Sequence, residues 1–166
     1  MGYAVKSFRE FRCVGGPEEC SPDETFSETI PEPTLEDLKM QLWERIKAKR
    51  DAIKAGGVKV GTKWYHTDTE SRIQHLGLLE KAKAARAAGG TDTTRLQALG
   101  QDIRWKTMDG SFIYLTAKLA EDIFAAVTDL DAATFAAAET HRAAMEAAPD
   151  PASYDFSTGW PATFGA

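Results

Sequence analysis

Gly56-Gly57-Val58-Lys59-Val60-Gly61-Thr62-Lys63-Trp64-Tyr65-His66-Thr67-Asp68-Thr69-Glu70 is the stretch that sets the fold class. Its paired glycines supply the backbone freedom that ends a helix. Val58-Lys59-Val60 and Trp64-Tyr65-His66 are β-branched and aromatic runs flanking the Gly61-Thr62-Lys63 connection, which is the pattern of a hairpin. Thr67-Asp68-Thr69-Glu70 has capping-box spacing, in which a Thr hydroxyl and a Glu carboxylate satisfy each other's orphan backbone donors, so a helix begins directly. Helix, hairpin and helix in immediate succession predict an α+β fold.

Working outward, Thr34 with Glu36 and Asp37 is a helix start, since the hydroxyl can accept first-turn N–H groups and the acids suit the positive end of the helix dipole. Leu35, Leu38, Leu42, Ile46 and Ile53 recur at helical spacing, which predicts a helix over 35–55. Past the hairpin, Ile73, Leu76, Leu79 and Ala82 mark the expected buried face of a second helix, which Gly89-Gly90 closes. Ile103 to Lys106 and Phe112 to Leu115 bracket Thr107-Met108-Asp109-Gly110-Ser111, and Asp-Gly signals a second hairpin. A long helix over 117–147 should bury Leu119, Ile123, Val127, Leu130, Thr134, Ala137, His141 and Met145.

The two ends differ from this core. Residues 1–33 hold three short candidate strands, Tyr3 to Lys6, Phe11 to Val14 and Thr25 to Glu28, punctuated by Gly15-Gly16-Pro17, Ser21-Pro22-Asp23 and Pro31-Glu32-Pro33. Each strand is too short to stand without a partner. After Pro149-Asp150-Pro151, a Gly- and Pro-containing tail carries Tyr154, Phe156, Trp160 and Phe164, rings that should pack on this chain or on a neighbour. The expected architecture is therefore three main helices on a small antiparallel sheet of two hairpins, with an extended docking arm over 1–33, a core over 34–148 and an aromatic tail over 149–166.

Composition narrows the function classes. The chain of 166 residues is 43% hydrophobic and 27% charged, close to the globular average. No apolar run reaches the length of a membrane span, and Met1 to Lys6 lacks a signal-peptide core, so the expectation is a protein folded in the cytoplasm, with no membrane partner. A net charge of −5 argues against general nucleic-acid binding, and the basic run Arg45 to Arg50 reads as a solvated helix face.

Chemistry-bearing patterns are sparse. His66, His75 and His141 fall on an expected strand and two helices with no close pairing in sequence, and no serine sits in a Gly-x-Ser-x-Gly turn. Glu121 with Asp122, and Asp129 with Asp131, read as solvated helix acids. Cys13 and Cys20 lack a second Cys or His pair to complete a metal site, and the sequence leaves a disulfide between them open. The expectation is a protein with no enzymatic activity, cofactor or metal.

Leu42 to Ala148 resembles an uncharacterised domain family encoded among tail-fibre and tail-assembly genes of tailed bacteriophages and prophages. The resemblance rests on Lys54-Ala55-Gly56-Gly57, Val58-Lys59-Val60-Gly61, Thr67 to Ser71, Ile103-Arg104-Trp105-Lys106, Asp109-Gly110 and the helix with Leu119, Ile123 and Val127. Met1 to Val5 and Asp23 to Thr29 are similar to the leaders of such proteins. What this implies is a tail structural or adaptor protein of the tail-fibre or baseplate region, made in the host cytoplasm and then held in the virion tail. An assembly chaperone for the fibre, not retained in the particle, is the alternative. The expected partners are tail-fibre or other tail proteins, contacted through Tyr3, Phe8, Phe11, Phe26, Tyr154, Phe156, Trp160 and Phe164. A homo-oligomer is a further expectation, with a trimer favoured, because the 117–147 stripe has heptad-like steps that would serve packing between copies as well as within one.

Overall fold

The three N-terminal strands pair with one another. In the computed structural model, which describes residues 1–7 and 9–165, Gly2–Ser7 (β1) lies between Glu10–Val14 (β2) and Thr25–Ser27 (β3), antiparallel to both. Pairing solves the length problem the sequence raised, because each strand completes the ladder of another. Tyr3 stands opposite Cys13 and Ser27, and Ala4 opposite Arg12 and Phe26. The Phe26 ring lies so close to Gly2 that a Cβ there would meet it at 2.6 Å, which makes glycine the residue that fits. These strands belong to a compact unit of residues 1–44 and 145–154, whose buried members include Ala4, Val14, Leu42, Met145 and Pro151.

A charged fork closes the loop after β2. Arg12 Nε and Nη2 donate to the two Glu24 carboxylate oxygens at 3.1 and 2.8 Å, and Nη2 also reaches the Glu19 carbonyl at 2.7 Å. The Arg12 bonds, with a further bond from the Ser21 N–H, pull the Glu24 carboxyl down to about 2. Cys13, exposed on the outer strand β2, and the half-buried Cys20 are both free thiols, so the bridge the sequence left open is not formed.

Helix α1 (Leu35–Lys54) starts as expected. Thr34 Oγ1 accepts the Asp37 N–H at 3.2 Å, and Asp37 Oδ2 accepts the Thr34 N–H at 2.9 Å, a reciprocal cap. Gly57, at φ +93°, follows its end in the left-handed region that glycine tolerates. The second compact unit comprises residues 45–144 and 155–166. There Val58–Val60 (β4) and Lys63–Tyr65 (β5) form the first hairpin, and helix α2 (Thr69–Ala87) follows.

Two expectations about α2 need correction. Asp68, not Thr67, caps it, accepting the Ser71 N–H at 3.0 Å and the Ser71 hydroxyl at 2.7 Å. Thr67 is buried and its hydroxyl instead accepts the Gly57 N–H at 2.8 Å, tying the hairpin's two ends together. The buried face is also rotated: His75, Leu78 and Ala82 are buried, whereas Ile73 and Leu76 are 67% and 50% exposed. The anchor is Arg72, whose guanidinium donates to the Thr67 carbonyl at 2.6 Å, the Lys54 carbonyl at 2.8 Å and Asp131 Oδ2 at 2.7 Å. One side chain thereby joins the end of α1, the start of α2 and the third helix.

Short pairs Gln97–Ala98 (β6) with Gln101–Asp102 (β7) lead into the second hairpin, Arg104–Lys106 (β8) with Phe112–Tyr114 (β9). The hairpins are separate two-stranded ladders, linked by a backbone bond from Met108 N–H to the Trp64 carbonyl at 3.0 Å. In the turn, Asp109 accepts bonds from Lys63, Thr107 and Ser111, which hold its carboxyl far below the ordinary range. Helix α3 (Ala117–Ala147) buries Ile123, Val127, Leu130, Thr134, Ala138 and His141 within the second unit, with Ala138 in the place expected for Ala137. Its heptad-like stripe is thus covered by its own chain. No helix among the described residues is long and apolar enough to cross a membrane.

Candidate interaction surface

The β8–β9 hairpin sorts its side chains by the two-residue period of a strand. Trp105 and Ile113 face each other across the ladder and pack against the core that contains Tyr65, Leu78 and Ile123. Arg104 with Tyr114, and Lys106 with Phe112, are the alternate pairs, and all four are exposed. Phe112 is 55% exposed and Tyr114 47%, although each side chain is large and apolar enough to favour burial.

Arginines cover the faces of these rings. Arg104 Cζ lies 4.9 Å from the Phe112 centroid and 5.9 Å from that of Tyr114, while Arg95 Cζ lies 4.1 Å from the Tyr114 centroid. The result is a row, Phe112, Arg104, Tyr114, Arg95, running over the outside of the sheet. Each exposed cation–ring contact contributes about 0.5–1 kcal/mol, enough to pre-order the side chains and too little to explain why rings stay in water. Arg95 also pairs with Asp102 at 2.8 Å, which lowers the Asp102 carboxyl below its ordinary value. The Arg104 guanidinium and the Lys106 ammonium have neither a hydrogen bond nor an ion pair among the described residues.

Beside this row lies an open cleft of about 500 Å³, lined by Arg104, Trp105 and Lys106 on one side and by His66, Asp68, Glu70, Ser71 and Gln74 on the other. The floor is rigid. The Trp105 ring lies against His75, with centroids 4.7 Å apart, and the buried His75 Nε2–H donates to the His66 carbonyl at 2.9 Å. Burial pushes the His75 pKa below its ordinary value. The buried Trp105 Nε1–H has no hydrogen-bond partner among the described residues.

The residues singled out by sequence lie elsewhere and fall into two groups. On the N-terminal sheet, Tyr3 and Phe11 meet edge-on with centroids 5.7 Å apart, Phe11 being exposed, while Phe26 covers Gly2 from a half-buried position. Tyr154 is half-buried in the same unit, and Phe8 lies outside the described residues. In the second unit the tail rings are held by their own chain. Trp160 stacks on His141 at 4.9 Å between centroids, packs against the core and donates Nε1–H to the Phe156 carbonyl at 2.8 Å. Arg45 sits 5.2 Å over Phe156, Lys49 Nζ donates to the Ser157 carbonyl at 3.0 Å, and Phe164 meets Trp64 edge-on at 6.2 Å. The basic run of α1, read as a solvated face, therefore grips the tail with two of its cations.

Three of the four helix acids are also engaged. Glu121 takes a bidentate bond from Arg86, Asp122 pairs with Lys118, and Asp131 pairs with Arg72 and Lys54. No group of three or more His, Cys, Asp or Glu among the described residues is placed to hold a metal ion. Phe112, Tyr114, Arg95 and Arg104 are not among the contact residues expected from the sequence. The signal was present in Arg104-Trp105-Lys106 against Phe112-Ile113-Tyr114, because a tight turn fixes the register and the inward Trp105 forces its neighbours out.

A family model described as a domain of unknown function (DUF4376) matches residues 37–158. No curated protein and no solved structure matches the chain.

Proposed function

Because the chain belongs to the DUF4376 family, a domain of unknown function, we propose its role from its own surface: it is a structural or adaptor protein of a bacteriophage tail, joining other proteins in the tail-fibre or baseplate region. The observation that carries the assembly part of this reading is the row of exposed rings and arginines on β8–β9. Aromatic rings and arginine are the residue types enriched where proteins bind each other, and rings kept in water by a rigid strand are ready to be covered without an ordering cost. The tail setting rests on the resemblance of Leu42 to Ala148 to proteins encoded among tail genes. The motifs that carry it include Ile103-Arg104-Trp105-Lys106 and Asp109-Gly110, which build the hairpin itself.

Two measurements test the reading. Quantitative mass spectrometry of purified particles should find the protein in a fixed ratio to tail proteins; its absence from particles, with abundant protein in the lysate, would retire the structural role in favour of a fibre-assembly chaperone. Affinity capture with the full chain should retain a tail protein, and Phe112→Ser with Tyr114→Ser should lose it. Capture that survives the double substitution would remove the hairpin face from the docking role.

A further inference from the structure

The two compact units carry opposite charge. Residues 1–44 and 145–154 hold 12 acids and 4 bases, a net of −8, whereas residues 45–144 and 155–166 hold 13 acids and 16 bases, a net of +3. On the positive unit, Arg104 and Lys106, which make no hydrogen bond or ion pair among the described residues, stand beside the exposed rings of Phe112 and Tyr114. On the negative unit, the matching stretch is Glu28-Thr29-Ile30-Pro31-Glu32-Pro33, between β3 and α1. It has no regular structure, Ile30 is 57% exposed, and the carboxylates of Glu28 and Glu32 have no hydrogen bond or ion pair among the described residues.

Proline shapes this stretch for docking. Ile30 and Glu32 each precede a proline, which disfavours helical conformations and keeps both residues extended. In an extended chain, alternate residues share a side, so Ile30 and Glu32 present an apolar side chain and an acid together, with Glu28 at the bend just before them. That is the complement of a strand face offering cation and ring. Opposed charge beside an apolar contact sets register as well as attraction.

We infer that residues 28–33 of one copy dock on the β8–β9 face of a second copy, so that the protein associates head to tail. This rests on the reading of that face as a docking surface and names its occupant. Because the two patches differ, the first contact leaves the face free on one copy and the segment free on the other, and the association continues into a ring or a filament.

Sedimentation of the full chain tests this. The wild type should form dimers and larger species that grow with protein concentration and dissolve as salt is raised. Arg104→Gln with Lys106→Gln, and separately Glu28→Gln with Glu32→Gln, should each give a monomer with unchanged circular dichroism. Mixed in equal amounts, the two variants should form a one-to-one dimer and nothing larger, since one keeps the acidic segment and the other the basic face. A wild type that stays monomeric at low salt, or a mixture that fails to pair, overturns the inference. If such a monomer still captures a tail protein through Phe112 and Tyr114, only self-docking is lost; if it captures none, the docking reading falls with it. Binding of single-stranded DNA by the face in place of self-association also overturns it.

Discussion

The aromatic tail and the β8–β9 hairpin both display large rings in polar surroundings, yet they use them in opposite ways. Phe156, Trp160 and Phe164 are each claimed by their own unit, through Arg45, His141 and Trp64 respectively. Phe112 and Tyr114 have arginines over their faces and water beyond. A tail can fold back until its rings find a surface, because its backbone is not committed elsewhere. A strand cannot: once Trp105 and Ile113 point to the core, their neighbours must point out. Rings on a rigid strand are thus better evidence of an outside partner than rings on a tail.

Substitutions can break this comparison. The largest effect on stability is expected for Trp160→Ala, which removes a ring from the core edge and its stack on His141. The expected loss is about 2–3 kcal/mol, measured by chemical denaturation, with capture of partners through the hairpin unchanged. If stability barely moves while capture is lost, the tail is a docking element after all. Lys49→Ala should cost about 0.5–1.5 kcal/mol by removing the bond to the Ser157 carbonyl, and limited proteolysis should then cut the tail sooner. Phe112→Ser with Tyr114→Ser should cost about 1–2 kcal/mol at most, the share of the exposed cation–ring contacts it removes, while abolishing association. A large loss of stability there would mean that the exposed rings serve the fold.

The smallest effect belongs to the N-terminal loop, where charge is fully committed. Glu24 titrates at about 2 against an ordinary 4.5 because Arg12 and the Ser21 N–H hold its ionised form. A carboxyl depressed on folding contributes its stability above the ordinary value and loses it as pH falls through the folded one. The contribution of the fork should therefore be complete above pH 4.5 and fade toward pH 2. Carbon-detected NMR of the Glu24 carboxyl should show the low midpoint, and Arg12→Ala should return it toward the ordinary value.

Much of the fold could be read from local chemistry. Paired glycines, Thr34 with Asp37, and the Asp109-Gly110 turn mark boundaries because each satisfies or frees the backbone within a few residues. What escaped depended on distant partners. The face of α2 was misread because Ile73 and Leu76 follow the period as well as His75 and Leu78, and the choice is made by Trp105, the His66 carbonyl and Arg72 contacts. Thr67 and Asp68 are adjacent candidate caps, and only the buried Gly57 N–H separates their roles. The same limit hid the candidate surface: its rings are ordinary strand residues until the register of β8 against β9 shows which side they take.

Arg72 carries a consequence for the order of folding. Its three bonds reach partners 5, 18 and 59 residues away in sequence, so the set closes only when the hairpin, both flanking helices and α3 have already met. Interactions completed after the rate-limiting step leave the folding rate unchanged and speed escape from the native state when they are removed. In stopped-flow experiments, Arg72→Ala should therefore steepen nothing on the refolding arm and raise the unfolding arm. Its guanidinium would then act as a lock on the finished structure, setting how long each copy lasts once folded.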